Sequence, residues 1–274
     1  MTQIEASDLV ISRGGRAIVR KVSLRAQSGE LIALIGANGA GKSTLLTSLA
    51  GLLAPDSGAI RVNGLAISQF SRVEIARRRA YLPQNPRCEW PISVERLIAL
   101  GLTPTLPVFG GLPPVFEARI TEMLTQWDLL PQRDQSATTL SGGELARAML
   151  ARALVGDPDI LIADEPISGL DPKHALDTLA RLRDLARNGK LVIISIHDLT
   201  LAARYATRLV VIDHGRIVAE GPSGEILTAE LLRTVFEVEA CVSGVNGGAY
   251  VDYLAPLTPG SAASATPVGL TKNA

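Results

Sequence analysis

The segment from Leu31 to Leu52 constrains the fold of this 274-residue chain more than any other. It begins with an apolar, β-like run, continues through a glycine-rich turn and then opens an amphipathic helix. Positions 36 to 43 match the phosphate-loop pattern G-x-x-x-x-G-K-[ST], in which a strand leads into a turn that cradles phosphate groups. Strand, loop and helix in this order predict an α/β fold that binds a nucleoside triphosphate.

The chemistry of phosphate binding explains each residue type in this loop. Glycines allow backbone N–H groups to approach phosphate oxygens without an intervening side chain, and the helix N-terminus adds a partial positive charge. Lys42 is placed to reach the β- and γ-phosphates, and the Ser43 hydroxyl is placed to hold Mg²⁺. The other loop residues predicted to contact the nucleotide are Gly36, Asn38, Gly39, Gly41 and Thr44.

Composition narrows the function further. The formal net charge is zero and 47% of the residues are hydrophobic, which suits a large core and gives no charge balance for binding nucleic acid. The two cysteines, Cys88 and Cys241, match no metal-site spacing and suit a reducing compartment. The N-terminus carries no signal-peptide pattern, and no apolar run approaches the roughly 20 residues that span a bilayer. We therefore expect a soluble chain whose membrane role would come through a partner.

The first third of the chain has a β-rich pattern, in which glycine pairs separate short apolar runs. After the phosphate-loop helix, the dipeptide Asn63-Gly64 predicts a hairpin with a type I′ turn. Ser71 and Glu74 form a capping box, which predicts the start of a helix. The strands expected in this part are 4–11, 17–24, 31–35, the two arms of the hairpin, and 80–82.

The segment from about 88 to 155 has a helical pattern instead of the β-rich pattern that precedes it. Helices are expected at 94–100, 117–127 and 141–154, with a Pro- and Gly-rich loop at 103–114. We interpret this segment as a helical subdomain inserted into the α/β core.

The core resumes at Asp159. One apolar strand delivers two adjacent carboxylates, Asp164 and Glu165, and the next apolar strand ends at His197. Strands that alternate with helices predict a mostly parallel sheet with helices on both faces, and such sheets bind ligands beyond the carboxyl ends of their strands. We therefore expect the phosphate loop, the carboxylate pair and His197 on one rim of the sheet.

The C-terminal part is expected to be helical at 223–236, to continue as an extension at 239–255 and to end in a disordered tail at 256–274. The fold class predicted from the whole chain is α/β: a P-loop NTPase core with a mostly parallel sheet, an antiparallel β subdomain and an inserted helical subdomain. The nucleotide-binding domain is expected to span residues 1–238.

The run Leu140-Ser141-Gly142-Gly143-Glu144 resembles the signature motif of the ATP-binding-cassette (ABC) ATPases. Alone, S-G-G-E could be only a helix cap. Six motifs nevertheless stand in that family's order and rough spacing, and the resemblance covers about residues 4 to 240. The motifs are the phosphate loop, Gln84, residues 140–144, residues 160–166, residues 168–171 and His197.

The resemblance implies a role for each residue outside the signature. Asp164 would hold Mg²⁺ through water beside Ser43, with Gln84 as a further ligand that senses the γ-phosphate. Glu165 would orient and deprotonate the attacking water, and His197 would contact the γ-phosphate as a switch. Without the other motifs, His197 would be interpreted as a hydrogen-bonded core histidine, Gln84 as an ordinary loop residue and the carboxylates as a solvated strand end. The implied catalytic set is Glu165, His197, Gln84 and Lys42, with ATP and Mg²⁺ as cofactors.

The resemblance also implies a second copy of the chain. Ser141, Gly142 and Gly143 would bind the γ-phosphate of an ATP held by that copy. Asp171 would cross the interface of the resulting head-to-tail dimer, which would sandwich two ATPs. Arg13 stands where the family usually places an aromatic residue that stacks on adenine, and the plane of a guanidinium can stack on a base as well.

A single short cassette without a membrane-spanning segment is similar to the ATPase subunit of a bacterial importer. Three stretches, 77–84, 92–101 and 231–240, resemble the ATPases of iron-siderophore, haem and cobalamin importers. That resemblance implies a peripheral protein at the cytoplasmic face of the plasma membrane, bound to a transmembrane permease and served indirectly by a substrate-binding protein. The alternatives are an ATPase of another importer type, a non-transport cassette ATPase that remodels a complex, and a regulatory protein that holds ATP without turnover.

The segment 85–100 follows Gln84 and is expected to dock a short cytoplasmic helix of the permease. The charge reversal Glu95→Arg is therefore expected to uncouple hydrolysis from transport while ATP binding stays intact. In the group that this chain resembles, the transported molecule does not touch the ATPase subunit. The sequence of this subunit therefore does not identify the transported molecule.

Overall fold

The computed structural model describes residues 1–106, 112–245 and 248–257 of the chain. Among these residues, no helix has the length and apolar character needed to cross a membrane. The strands are β1 (Gln3–Arg13), β2 (Arg16–Gln27), β3 (Leu31–Ile35), β4 (Ser57–Val62), β5 (Leu65–Ala66), β6 (Arg79–Leu82), β7 (Ile160–Asp164), β8 (Leu191–Ser195), β9 (Arg208–Asp213), β10 (Arg216–Pro222), β11 (Val238–Val245) and β12 (Gly248–Pro256). The helices are α1 (Lys42–Leu49), α2 (Arg72–Arg78), α3 (Val94–Ala99), α4 (Pro114–Gln126), α5 (Gly142–Leu154), α6 (Pro172–Arg187), α7 (Leu199–Tyr205), α8 (Ser223–Ile226) and α9 (Ala229–Phe236).

An antiparallel sheet in the order β2-β1-β4-β5 is built from the N-terminal strands and the hairpin after α1. The hairpin turns at Asn63 and Gly64, whose φ angles of 52° and 81° are those of the predicted type I′ turn. The predicted capping box begins α2, because the Ser71 hydroxyl accepts from the Glu74 N–H and the Glu74 carboxylate accepts from the Ser71 N–H. The antiparallel β subdomain predicted from the sequence is therefore confirmed.

The central sheet has the order β10-β9-β3-β8-β7-β6. Neighbouring strands are parallel from β9 to β6, and β10 runs antiparallel to β9 at the edge. β3, β7 and β8 are buried along their whole length, as expected for apolar strands that lie between two layers. The mostly parallel α/β sheet predicted from the alternation of strands and helices is confirmed.

The central strands send alternate side chains into two hydrophobic cores. On β3, Leu31, Ala33 and Ile35 pack in a core shared with α3 to α7, whereas Ile32 and Leu34 pack in a core shared with α1 and the antiparallel sheet. Each strand is thus fixed from both sides. The carboxyl ends of β3, β7 and β8 consequently meet at one firmly held edge.

Between β6 and β7, the described residues form α3, α4, α5 and short 3₁₀ turns, with no strand. α4 begins at Pro114, three residues before the expected start, because the missing N–H and fixed φ of proline suit the first helical position. Residues 107–111 of the Pro- and Gly-rich loop lie outside the described part of the chain. The inserted helical block is therefore present, and we propose that it forms a subdomain with boundaries near 88 and 155.

The C-terminal part departs from the sequence analysis in three places. The helix expected at 223–236 is interrupted, because Leu227 is extended and the Thr228 hydroxyl caps a new helix, α9. The expected extension is a β-hairpin of β11 and β12, which no sequence pattern predicted. Pro256 ends β12 rather than opening a tail, and residues 258–274 of the expected disordered tail lie outside the described residues.

Candidate functional site

The phosphate loop begins at Gly36, where β3 ends. The Gly36 φ angle of 149° lies in a region that side chains rarely adopt, and a Cβ there would stand 2.0 Å from the carbonyl oxygen of Ile212 on β9. At Gly41, with a φ angle of 106°, a Cβ would stand 3.0 Å from the carbonyl oxygen of Ile18 on β2. Both glycines are required because the loop passes close to the backbone of two strands, and this close approach fixes its path.

The first turn of α1 is open to an anion. Gly41 precedes the helix and supplies no side-chain cap, so the N–H groups of this turn are not capped by a side chain. Such N–H groups, together with the helix dipole, attract phosphate oxygens. Ser43 is exposed in this turn, Thr44 is half-buried, and Asn38 and Gly39 are exposed in the preceding loop. The predicted phosphate-binding residues therefore surround one helix end.

Lys42 lies inside the loop. Its side chain is buried, and Nζ donates hydrogen bonds to the carbonyl oxygens of Gly36, at 2.7 Å, and Ala37, at 3.1 Å. Burial lowers the pKa of Lys42, whereas the carboxylates of Glu165 and Asp164 raise it. The ammonium is therefore close to both carboxylates, as the prediction of a shared rim requires.

Asp164 is held by a serine that the sequence analysis missed. Asp164 is the last residue of β7 and pairs in register with Ser195, the last residue of β8. The fully buried Ser195 hydroxyl donates to the Asp164 carboxylate and accepts a hydrogen bond of 2.9 Å from the Glu165 N–H. The available signal was that Ser195 is the one polar residue in the run L-V-I-I-S-I. One hydroxyl thus fixes two adjacent acidic residues.

Glu165 and His197 contact each other directly. The His197 ring nitrogen Nε2 hydrogen-bonds to the Glu165 carboxylate, whose side chain is 13% exposed. The Glu165 backbone has a φ angle of 51°, a left-handed conformation that costs a non-glycine residue free energy and is concentrated at functional sites. The His197 side chain is 47% exposed, so the alternative of a core histidine is wrong. The site carries a paired carboxylate and imidazole at the solvent boundary.

Gln84 and Arg13 flank this cluster. Gln84 is exposed two residues beyond the end of β6, which is the parallel neighbour of β7, so it lies on the same rim. Arg13 is exposed at the end of β1. Burial raises the pKa of Tyr81, and the nearby charge of Arg13 lowers it, while the Tyr81 hydroxyl hydrogen-bonds to Thr47 of α1 over 3.2 Å. The Arg13 charge therefore acts on Tyr81, which contacts α1, and the stacking of Arg13 on a base stays a prediction.

The signature residues lie apart from the phosphate loop. The predicted capping box of α5 is present. The Glu144 carboxylate accepts one hydrogen bond from the Ser141 N–H over 2.8 Å and another from the Ser141 hydroxyl over 2.7 Å. Ser141 and Gly142 are exposed, and Gly143 adjoins Leu170. Within the described ranges, no hydrogen bond or ion pair joins Ser141, Gly142 or Gly143 to the phosphate loop. The polar groups of Ser141 are engaged by Glu144, and Ser141 and Gly142 both lie on the surface, where a second molecule can reach them.

Asp171 is engaged within its own chain. It caps α6, where its carboxylate accepts from the His174 N–H at 3.0 Å and contacts His174 Nδ1 at 2.6 Å. The hydrogen bond from the His174 backbone, with further hydrogen bonds and charge from the same residue, lowers the pKa of Asp171. The expected crossing of a dimer interface by Asp171 stays a prediction.

The predicted Mg²⁺ ligands offer a hydroxyl, an amide oxygen and a carboxylate, from Ser43, Gln84 and Asp164. Oxygen donors of these kinds suit a small hard cation. Across the described residues, no group of three or more His, Cys, Asp and Glu side chains is arranged to hold a metal alone. Mg²⁺ is commonly bound by one or two carboxylates together with substrate phosphates and water. The donor set therefore fits Mg²⁺ that arrives with the nucleotide.

Replacing Ser195 by alanine is expected to destabilise the fold and weaken metal binding. The change leaves the buried Asp164 carboxylate and the Glu165 N–H without their shared partner, which costs about 1–3 kcal/mol of folding free energy. The Mg²⁺ concentration that half-saturates ATP hydrolysis is expected to rise as well. Chemical denaturation and a Mg²⁺ titration of the ATPase rate measure the two effects.

Ser48→Ala is the matched control for Ser195→Ala. Ser48 is also fully buried, but its hydroxyl has no hydrogen-bond partner within the described structure. Removing it is therefore expected to leave the free energy of unfolding unchanged or higher. Equal destabilisation by the two variants would show that the Ser195 hydrogen bonds add nothing to the free energy of unfolding.

Comparisons with known proteins give consistent matches. The family model described as ABC transporter matches residues 19–168. The hemin import ATP-binding protein HmuV of Rhodopseudomonas palustris (strain BisA53) is 39% identical over 254 residues, which cover 90% of this chain and 92% of that protein. HmuV of Bordetella avium (strain 197N) is 39% identical over 248 residues, covering 87% and 94%. A solved structure of the ATP-binding subunit of an ABC transporter is 28% identical, has a TM-score of 0.72 and covers 84% of this chain and 92% of that one.

Proposed function

Because the chain belongs to the ABC transporter ATPase family, we propose that it is the ATP-hydrolysing subunit of a bacterial importer for haem or a related iron chelate. Family membership rests on the matched family model and on relatives that the chain covers almost completely. The membership predicted from the six motifs is thereby confirmed. Hemin import by the named relatives favours haem among the three cargo classes expected from the sequence. The observation that carries the proposal is the cluster of Lys42, Asp164, Glu165 and His197 on one rim of the sheet.

ATP binding follows from the phosphate loop. The N–H groups at the start of α1 and the Lys42 ammonium receive the β- and γ-phosphates, where they balance the negative charge. Mg²⁺, when bound, neutralises further phosphate charge, with Ser43, Asp164 and Gln84 as its proposed ligands. Arg13 is proposed to stack on the adenine, because it is exposed at the end of β1 and a guanidinium plane can stack on a base.

Hydrolysis follows from the acidic end of β7. The Glu165 carboxylate accepts a proton from water as the water oxygen attacks the γ-phosphorus and the bond to ADP breaks. Ser195 fixes the Glu165 backbone, and His197 orients its carboxylate. When ATP is bound, we propose that His197 also contacts the γ-phosphate and so links the base to the substrate. A positioned base of this kind typically supplies ~10²–10⁴ in rate.

A second copy completes the site. Ser141 and Gly142 are exposed, Gly143 is half-buried, and within the described residues no hydrogen bond joins them to the phosphate loop of their own chain. The first N–H groups of α5 attract anions through the helix dipole, although, unlike the start of α1, this helix end is capped by the Ser141 hydroxyl, which accepts a hydrogen bond from the Glu144 N–H. We propose that this end contacts the γ-phosphate of an ATP held by the second copy, in a head-to-tail dimer with two-fold symmetry.

A groove next to Gln84 is proposed as the contact with the permease. It has a volume of about 380 Å³ and is lined by residues of α2, β6, α5 and the segment 100–105. Arg77, Arg79 and Arg152 line it, and among the described residues no Asp or Glu does. Arg79 Nε is buried without a hydrogen-bond partner in the described part of the chain, and burial lowers the pKa of Arg79 to about 10. We propose that the docking segment of the permease brings a carboxylate to this cation.

The structure changes the choice of a docking variant. The Glu95 carboxylate pairs with Arg133 of the same chain, so Glu95→Arg would place two guanidinium groups together and disturb the subunit itself. Arg79 Nε has no hydrogen-bond partner among the described residues, and Arg79 lies five residues before Gln84. A change at Arg79 therefore tests the permease contact more cleanly.

Arg79→Met is expected to separate hydrolysis from transport. Because an unsatisfied buried polar group costs about 1–3 kcal/mol, the free energy of unfolding of the isolated variant is expected to stay equal or to rise by on the order of 1 kcal/mol. Its basal ATPase rate is expected to match the wild type, whereas stimulation by the permease is lost. Arg61→Met, on the exposed antiparallel sheet, is the control that keeps full stimulation. Wild-type stimulation of Arg79→Met would contradict the docking proposal.

The cargo is tested in the assembled transporter. If a multi-span membrane protein is encoded next to its gene, the chain is co-purified with that protein and placed in nanodiscs with the associated substrate-binding protein. ATP hydrolysis is then measured with haem, a ferric siderophore and cobalamin. Stimulation by haem alone supports the proposal, and stimulation by another cargo reassigns the importer type. If no permease gene is adjacent and the protein hydrolyses ATP when bound to another complex, it is a remodelling ATPase instead. In the proposed assembly, the subunit lies at the cytoplasmic face of the plasma membrane.

A further inference from the structure

The C-terminal hairpin (β11 and β12) packs against α7, the short helix that follows His197. Ala249 and Val251, alternate residues of β12, are buried in the same hydrophobic core as Leu199 and Ala202 of α7. Neither ATP binding nor the dimer contact described above uses this packing. The hairpin therefore has defined contacts near the site and no role in the proposed mechanism so far.

One hydrogen bond ties the hairpin to the helix. The Val251 N–H donates to Thr200 Oγ1 over 3.1 Å. Thr200 stands in the first turn of α7, whose N-cap Asp198 accepts from the Leu201 N–H at 2.8 Å. Tyr253 lies two residues beyond Val251 on β12, and burial raises its pKa, with the Asp198 charge raising it further. β12 thus contacts the beginning of α7 rather than its end.

The beginning of α7 is continuous with the site. His197 immediately precedes Asp198, and its ring contacts the Glu165 carboxylate. α7 has only seven residues, and helices this short are marginal without tertiary contacts. A shift of the first turn would therefore move the His197 ring relative to Glu165.

We propose that Thr200 is a positioning residue for ATP hydrolysis, through which the C-terminal hairpin holds the His197 ring against Glu165. The inference rests on the proposed role of His197 in the site. Thr200 touches neither the nucleotide nor the attacking water in this arrangement. Loss of its hydrogen bond to Val251 consequently lowers turnover without weakening ATP binding.

The test compares Thr200→Val, which keeps the side-chain shape but lacks the hydroxyl, with Thr200→Ser, which keeps the hydroxyl. In Thr200→Val, kcat for ATP hydrolysis is expected to fall roughly 10-fold at unchanged KM, less than the ~10²-fold that full misplacement of a reacting group can cost. Thr200→Ser is expected to retain the wild-type kcat. Thr125→Val makes the same change on the exposed face of α4, where the hydroxyl bonds to the carbonyl of Thr121, and it is expected to hydrolyse ATP like the wild type.

A spectroscopic measurement separates positioning from a general structural effect. The chain has three histidines, so the ring NMR signals of His197 can be followed beside those of His174 and His214. In Thr200→Val, the His197 signals are expected to shift while the other two stay in place. If Thr200→Val does not fold, Thr200→Ala, with its higher helix propensity, takes its place.

Three outcomes overturn the inference: an unchanged kcat in Thr200→Val, an equal loss in Thr200→Ser, or a raised KM at unchanged kcat. His197→Ala, measured in parallel, distinguishes failure of the proposed role of His197 from failure of the positioning role of Thr200. If His197→Ala hydrolyses ATP at the wild-type rate, the proposed role of His197 fails. If His197→Ala is inactive while Thr200→Val behaves like the wild type, the positioning role of Thr200 fails alone.

Discussion

Glu165→Gln is expected to bind ATP as the wild type does and to hydrolyse it ~10²–10⁴ times more slowly, the range that a positioned base supplies. Glutamine has nearly the same shape, so the left-handed backbone and the contact with His197 can persist, but its amide cannot accept the proton of the attacking water. Single-turnover kinetics with excess protein measure the chemical step directly. Light scattering in the presence of ATP is expected to show a dimer that persists, because the ATP between the two copies is no longer cleaved.

Glu74→Gln is the matched control for Glu165→Gln. It makes the same chemical change in the capping box of α2, where glutamine can replace glutamate. This control is expected to hydrolyse ATP at the wild-type rate. A wild-type rate in Glu165→Gln would remove Glu165 as the base and leave its strained backbone without a functional explanation.

Lys42→Met is expected to weaken ATP binding by roughly 10²-fold, since hydrogen bonds to charged groups contribute about 1.5–3 kcal/mol each. The ammonium lies inside the phosphate loop, where it donates hydrogen bonds to the carbonyl oxygens of Gly36 and Ala37. Methionine fills the buried space, which limits the change in folding stability. Calorimetric titration with a non-hydrolysable ATP analogue measures the affinity.

Lys190→Met supplies the control for Lys42→Met. Lys190 pairs with Asp157 over 2.9 Å on a different part of the surface, and such partly exposed pairs contribute little to stability. ATP affinity in this variant is expected to equal that of the wild type. Equal affinity in Lys42→Met would mean that the loop does not bind the phosphates through its lysine.

Local sequence signals predicted most of the fold, because the features concerned are set by neighbouring residues. Asn63 and Gly64 adopt the positive φ angles that their residue types favour, and Ser71 with Glu74 forms the cap that its spacing allows. The rim that unites Lys42 with the acidic end of β7 was also predicted, since parallel strands bring their carboxyl ends to one edge.

The features that escaped the sequence analysis depend on contacts between distant residues. Ser195 acts on Asp164 only because β7 and β8 pair in one particular register, which no local pattern specifies. The contact between Val251 and Thr200 likewise joins segments that are far apart in the chain. Arg79 looks like one of three ordinary arginines in the sequence, and only the packed structure shows that its Nε is buried without a partner within the described ranges.

The most direct test of a nucleotide site shared between two copies mixes two variants that are each inactive. Lys42→Met disables the phosphate loop. Gly142→Asp adds a carboxylate where a Cβ meets nothing within 4 Å in its own chain, so the subunit keeps its fold while the γ-phosphate of the second copy is repelled. In a mixed dimer, the loop of the Gly142→Asp copy faces the intact signature of the Lys42→Met copy, and one complete site results. We predict that mixing restores ATP hydrolysis; a mixture as inactive as its separate components would contradict a site built from two copies.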